Sequence, residues 1–256
     1  MDEYLKLQNI RKAYADKVAV DNLSLSVPKG SIYGIIGPNG AGKTTTIKMI
    51  IGMLEPSDGT VTVCSHDVLS EPLEVKRRIG YVPETCSLYE NLTGREYLEL
   101  IGNMHHLPND RIESQIEKLT PTLGLSEAID QRIVTYSKGM KQKVLLSSAL
   151  MHNPDVIIMD EPFSGLDSNS AAIFKQVIGR LADSGKAVIF SSHVLEVVEK
   201  LCGRLLIIHE GCKLAEGTVD EVMAKAGETS LVDSFSRLTG ITDIGEIADD
   251  ILDALK

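Results

Sequence analysis

The sequence predicts an α/β fold, on three observations. Short apolar, β-rich segments alternate with helical stretches along most of the 256 residues. Early segments are separated by tight turns, as in antiparallel pairing, whereas later ones are separated by helices, as in a parallel sheet. From about Leu92 to Met151 the alternation gives way to helical periodicity alone, which marks a helical unit inserted between halves of the core.

Taken in order, the candidate strands are Tyr4–Ile10, Val18–Val27, Ser31–Ile36, Thr60–Cys64, Ile79–Val82, Val156–Met159, Ala187–Phe190, Arg204–His209 and Lys213–Glu216. Pro28-Lys29-Gly30 forms a turn between the second and third. A helix over Thr44–Met53 follows the third. In the inserted stretch, Arg95–Met104 and Asn109–Leu123 carry apolar residues at helical intervals, as in Ile112, Ile116, Leu119 and Leu123, with Pro108 and Gly124 as punctuation. Ser137 and Gly139 directly precede a helix that is largely apolar from Val144 to Leu150. At the C-terminus, Ile241, Ile244, Ala248, Ile251, Leu252 and Leu255 share one helical face and five acidic residues lie largely elsewhere. That pattern predicts an amphipathic helical extension over 241–256, which either packs on its own domain or binds a partner.

Bulk composition narrows the function. No apolar run approaches the roughly 18 residues of a membrane helix, and Met1-Asp2-Glu3-Tyr4 opens no secretory signal, so a soluble cytoplasmic chain is expected. A net charge of −10 without a basic stripe argues against a nucleic-acid partner. Cys64, Cys86, Cys202 and Cys212 lack paired metal-ligand spacing and read as free thiols.

The chemistry is carried by two runs. Gly37-Pro38-Asn39-Gly40-Ala41-Gly42-Lys43-Thr44 matches G-x-x-x-x-G-K-[ST] between a strand and a helix. Glycines let the backbone wrap closely around phosphates, so that successive amides and a helix N-terminus face the negative charge. Lys43 would then reach the β- and γ-phosphates of a nucleotide, Thr44 would ligate Mg²⁺, and Thr45 continues the binding run. Further on, the strand Val156–Met159 ends in Asp160 and Glu161. A carboxylate at a strand end beside such a loop holds Mg²⁺, which is the role for Asp160, and Glu161 is the candidate general base.

With these residues in order, the chain resembles the nucleotide-binding subunits of ABC transporters from Tyr4 to about Gly240. The resemblance implies a P-loop ATPase domain over 1–240, with an antiparallel β subdomain, a RecA-like parallel core and a helical subdomain inserted at about 84–152. Tyr136-Ser137-Lys138-Gly139-Met140-Lys141-Gln142 resembles the L-S-G-G-Q signature, Ser164-Gly165-Leu166-Asp167 the D-loop, and His193 the switch histidine. In the family, each signature caps ATP held by the other subunit of a head-to-tail dimer, which assigns Ser137 and Gly139 to nucleotide binding. Asp167 resembles the aspartate that couples the two sites, and Tyr14 the aromatic that stacks on adenine; a strand-edge tyrosine would look the same. Lys138 and Met140 stand where the family most often has glycine and glutamine. Glu84, after Gly80-Tyr81-Val82-Pro83, stands at a usual glutamine and would ligate Mg²⁺ or orient water.

Leu92-Thr93-Gly94-Arg95-Glu96-Tyr97 and the run 230–240 resemble drug-exporter ATPases, whose membrane subunits are encoded separately. The resemblance therefore implies an ATPase bound to the inner face of the membrane through a permease, with Leu88, Tyr89 and Tyr97 near the groove that receives it. Two alternatives differ in kind. A soluble ABC-type ATPase of translation, repair or assembly often carries two cassettes or long insertions, and this chain has one phosphate loop. A P-loop kinase or GTPase would leave the signature and histidine unexplained, and no N-K-x-D motif is found.

Overall fold

The structure, a computed structural model, describes residues 3–240; the amphipathic extension expected over 241–256 lies outside the described residues. The chain opens with β1 (Glu3–Tyr14), β2 (Lys17–Pro28), β3 (Ile32–Ile36) and α1 (Lys43–Ile50), then β4 (Asp58–Val63), β5 (His66–Asp67), α2 (Pro72–Arg78) and β6 (Ile79–Val82). Three helices follow, α3 (Gly94–Met104), α4 (Asn109–Thr122) and α5 (Lys138–Leu150), with a 3₁₀ turn at Ile133–Thr135. The second half runs β7 (Val156–Met159), α6 (Ser168–Asp183), β8 (Ala187–Ser192), α7 (Leu195–Leu201), β9 (Arg204–His209), β10 (Cys212–Gly217), α8 (Val219–Ala226) and α9 (Leu231–Thr239).

Two sheets result. One is antiparallel, in the order β2-β1-β4-β5; the other has the order β10-β9-β3-β8-β7-β6 and is parallel except for its edge strand β10. The turn at Pro28-Lys29-Gly30 does not close a hairpin. It passes the chain from β2 at one edge of the first sheet to β3 inside the second, where β3 pairs with β8 and β9. The reason lies in composition: Ile32-Tyr33-Gly34-Ile35-Ile36 is apolar on both faces and needs cover on both, which a half-solvated sheet does not provide.

Period-two alternation sorts the parallel strands between two cores. Ile157 and Met159 of β7, Val188 and Phe190 of β8, and Leu205 and Ile207 of β9 face one side, with α3 to α7. Val156, Ile158, Ala187, Ile189, Leu206 and Ile208 face the other, with α1, α2 and the antiparallel sheet. Each such fully buried side chain contributes about 1.5–3 kcal/mol. In the helical stretch, Ile112, Ile116 and Leu123 of the periodic set are buried and Leu119 is partly so. α3 begins at a capping box in which Thr93 Oγ1 accepts from the Glu96 N–H and the Glu96 carboxylate accepts from the Thr93 N–H.

The sequence reading placed the first strand at Tyr4–Ile10, but β1 runs on to Tyr14. It does so through register shifts around Asn9, which has a φ of +50°, and its pairing with β2 carries it past Ile10.

Candidate functional site

Parallel pairing brings the C-terminal ends of β3, β7, β8 and β6 to one edge, where ligands bind in open α/β sheets. Register fixes which residues meet there. Met159 lies opposite Val82 and Phe190, and Ile36 opposite Ser192. One residue further along, the Asp160 N–H donates to Val82 O at 2.9 Å and the Ser191 hydroxyl donates to Asp160 Oδ1 at 2.5 Å.

The loop after β3 turns sharply into α1. Gly42 has a φ of +110°, and a Cβ there would lie 2.6 Å from Ala19 O, so both the conformation and the approach of β2 require glycine. Lys43 opens α1 and folds back over the loop: its Nζ donates to Gly37 O at 2.7 Å and Pro38 O at 3.2 Å. The same ammonium lies 3.7 Å from Glu161 Oε1. Both residues are buried, at 6 % and 7 % exposure, so the pair is largely screened from water.

Glu161 is held in a left-handed conformation, φ +48°, which is rare for a residue with a side chain. Three contacts hold it. Its N–H donates to Ser191 Oγ at 2.9 Å, and its Oε2 accepts from the His193 N–H at 3.2 Å and from His193 Nδ1 at 2.7 Å. That last bond puts the neutral ring's proton on Nδ1 and leaves Nε2 outward. Burial first, and then the negative charge of Asp160 and Glu84, pushes the Tyr81 hydroxyl up to about 12.

Asn39, Gly40, Ala41, Gly42, Lys43, Thr44, Thr45, Glu84, Glu161 and His193 line one cavity of about 410 Å³. Gly37 and Pro38 are tied to this lining through their bonds to Lys43, and Asp160, next to Glu161, is buried. The donors fit Mg²⁺. Among the described residues no three His, Cys, Asp or Glu side chains converge on one point. The Thr44 hydroxyl, Asp160 and Glu84 are hard oxygen donors that leave room for phosphate oxygens, as this ion takes them.

Four of the residues read from sequence lie away from this cavity. Tyr14 is half-exposed at the end of β1 with the Lys12 ammonium 5.5 Å from its ring centre. Ser137 and Gly139 sit at the start of α5, where Ser137 Oγ accepts from the Met140 N–H at 3.2 Å as a helix cap. Asp167 likewise caps α6, accepting from the Asn169 and Ser170 N–H groups and the Ser170 hydroxyl, and these bonds hold its carboxyl below the usual range. Ser191 was missed as a functional residue. Its hydroxyl serves both acidic residues, and the signal available was its place one residue beyond the predicted strand Ala187–Phe190.

Residues 20–164 match the sequence profile of the ABC transporter family. The ABC transporter ATP-binding protein NatA of Bacillus subtilis is 41% identical over 206 residues, which is 80% of this chain and 83% of that one. The daunorubicin/doxorubicin resistance ATP-binding protein DrrA of Streptomyces peucetius is 37% identical over 227 residues, 89% of this chain and 69% of that one. A solved ATP-binding subunit of an ABC transporter superposes with a TM-score of 0.87 at 32% identity, covering 92% of this chain and 99% of that one. A phosphate loop joined to a buried acid pair and a histidine, matched over this extent, places the chain in the ABC transporter family as an ATP-binding, ATP-hydrolysing subunit.

Proposed function

We propose that this chain powers export through a separate membrane permease, with two copies, or one copy and a homologue, closing head to tail around two ATP molecules. The observation that carries the proposal is the Lys43–Glu161–His193 cluster at the mouth of the phosphate loop. An entering triphosphate competes with Glu161 and with two loop carbonyls for the Lys43 ammonium. Released from Lys43 and oriented by His193, Glu161 is the general base that takes a proton from the attacking water. His193 holds this carboxylate at Nδ1 and, when protonated, offers Nε2–H to the terminal phosphate. Bound Mg²⁺ neutralises phosphate charge; Thr44, Asp160 and Glu84 are its candidate protein ligands.

Ser137 and Gly139 belong to the site of the opposite subunit. They start a helix away from the chain's own cavity, with free amides and a hydroxyl suited to an anion. Tyr14 is the candidate adenine platform. The ATPase domain covers 1–240, its helical part is inserted at about 84–152, and 241–256 is a C-terminal extension. No described helix is long and apolar enough to cross a membrane, which leaves the transport path to the partner. The export direction rests on relatives such as the Nod factor export ATP-binding protein I of Cupriavidus metallidurans, 34% identical over 223 residues.

Docking to the permease has a candidate face. Between α2, β6 and the inserted helices lies a groove of about 520 Å³ with Met53, Leu73 and Met104 exposed along it and Tyr97 in its wall. Leu88 and Tyr89 line an adjoining hollow rather than this groove, and the Tyr89 ring lies 6.4 Å from that of Tyr97. Bound there, the chain sits on the cytoplasmic face of the membrane.

The test is Glu161→Gln. Turnover should fall by about 10²–10⁴ with ATP binding retained. Undiminished hydrolysis would take the base role away from Glu161.

A further inference from the structure

Lys138 occupies the signature position where glycine is commonest in the family, and the D-loop explains what a long side chain does there. Its stem lies flat across Gly165: a Cβ placed on that glycine would be 2.3 Å from Lys138 Nζ, 3.2 Å from Cε and 3.4 Å from Cδ. Gly165 has a φ of +68° and offers the stem bare backbone. Among the described residues Lys138 makes no ion pair, whereas Lys141 pairs with Glu90. The neighbouring Gly139 makes a second, looser seam. A Cβ on it would lie 3.1 Å from Ser170 Oγ and 3.4 Å from Asp167 Oδ2, the pair that caps α6.

The same helix holds the loop after β6. Cys86 Sγ lies 3.6 Å from the buried Gln142 Oε1. The first turns of α5 therefore touch both loops that follow the strands of the nucleotide site: residues 84–86 after β6, and residues 164–167 after β7. Where the family has glycine at the third signature position, no side chain spans to the D-loop. Here one does.

We propose that Lys138 is a positioning residue, whose stem braces the D-loop against the signature helix so that ATP engaged by Ser137 and Gly139 shifts Asp167 and the end of β7 together. This rests on the head-to-tail dimer proposed above. The brace acts by packing, so stem length matters and charge does not. Lys138→Ala should lower kcat about five- to tenfold with the KM for ATP changed less than about twofold. Lys138→Met and Lys138→Arg, which keep a stem, should keep more than half of the wild-type kcat.

The measurements are steady-state ATPase kinetics on the full chain, with thermal unfolding showing that each variant is folded. The Glu161→Gln chain with ATP is run on a sizing column alongside. A monomer on that column fails the dimer reading itself. With a dimer in hand, an unaffected Lys138→Ala overturns the brace. A rise in KM at constant kcat, or Met and Arg variants as poor as Ala, would make Lys138 a direct nucleotide contact and overturn it as well.

Discussion

At Ser191 one hydroxyl donates to Asp160 Oδ1 and accepts from the N–H of Glu161, the residue held at φ +48°. Removing it leaves a buried donor and a buried carboxylate oxygen without that partner, a loss of about 1–3 kcal/mol. Ser191→Ala should therefore lower the unfolding temperature and depress turnover, while Ser191→Thr, which keeps the hydroxyl, should recover much of both. Calorimetry with parallel ATPase assays checks this, and an Ala variant equal to wild type would contradict it. His152 allows a different test. Its Nε2 donates to Ile79 O at 3.0 Å and its ring stacks on His105 at 3.8 Å. Burial first, and then the neighbouring His105, push its pKa down to about 4, below the ordinary histidine value of 6.5. The unfolded chain thus takes up the proton first as pH falls. Stability linked to this group is present above pH 6.5 and is lost between pH 6.5 and about 4. His152→Gln should flatten that part of the stability–pH curve measured by denaturant unfolding; an equally steep curve would exclude His152 as its source.

Among the elements, the contact between α5 and β6 sets how the inserted helices meet the sheet. Gly80 of β6 is where they touch: a Cβ there would lie 2.3 Å from Ala149 O and 2.9 Å from Pro154 Cγ. Gly80→Ala forces α5 outward and should cost about 1–3 kcal/mol, read as a lower denaturation midpoint at unchanged slope. The strands, α1, α3 and α4 were legible in sequence because alternation, periodicity and punctuation agreed, as at Pro108, Ile112, Ile116 and Gly124. α6 to α9 were not assigned, and neither were α2 and β5, which are seven and two residues long, too short for a period to register. The crossing from β2 to β3 was hidden for another reason, since a turn motif reports a change of direction and not the partner strand. In the site, the phosphate loop and acid pair were legible because their chemistry is local in sequence. The lock on Glu161 was not, because Ser191 and His193 reach it from a strand 30 and 32 residues away.

For the whole molecule, the arrangement divides one function between two faces. The cavity with Lys43, Glu161 and His193 belongs to one, and Ser137 with Gly139 to another that carries no phosphate loop of its own. Each chain would then hold two half-sites and complete neither. Mixing two defective chains tests this most directly. Lys43→Ala disables the phosphate loop and Ser137→Arg disables the signature, so each variant alone should be nearly inactive. In a mixed head-to-tail dimer both defects fall in one site, and the other site is intact. An equal mixture should recover about a quarter of wild-type ATPase activity, since half of the dimers are mixed and each has one working site of two. A mixture as inactive as its components would mean that each signature serves its own chain's nucleotide.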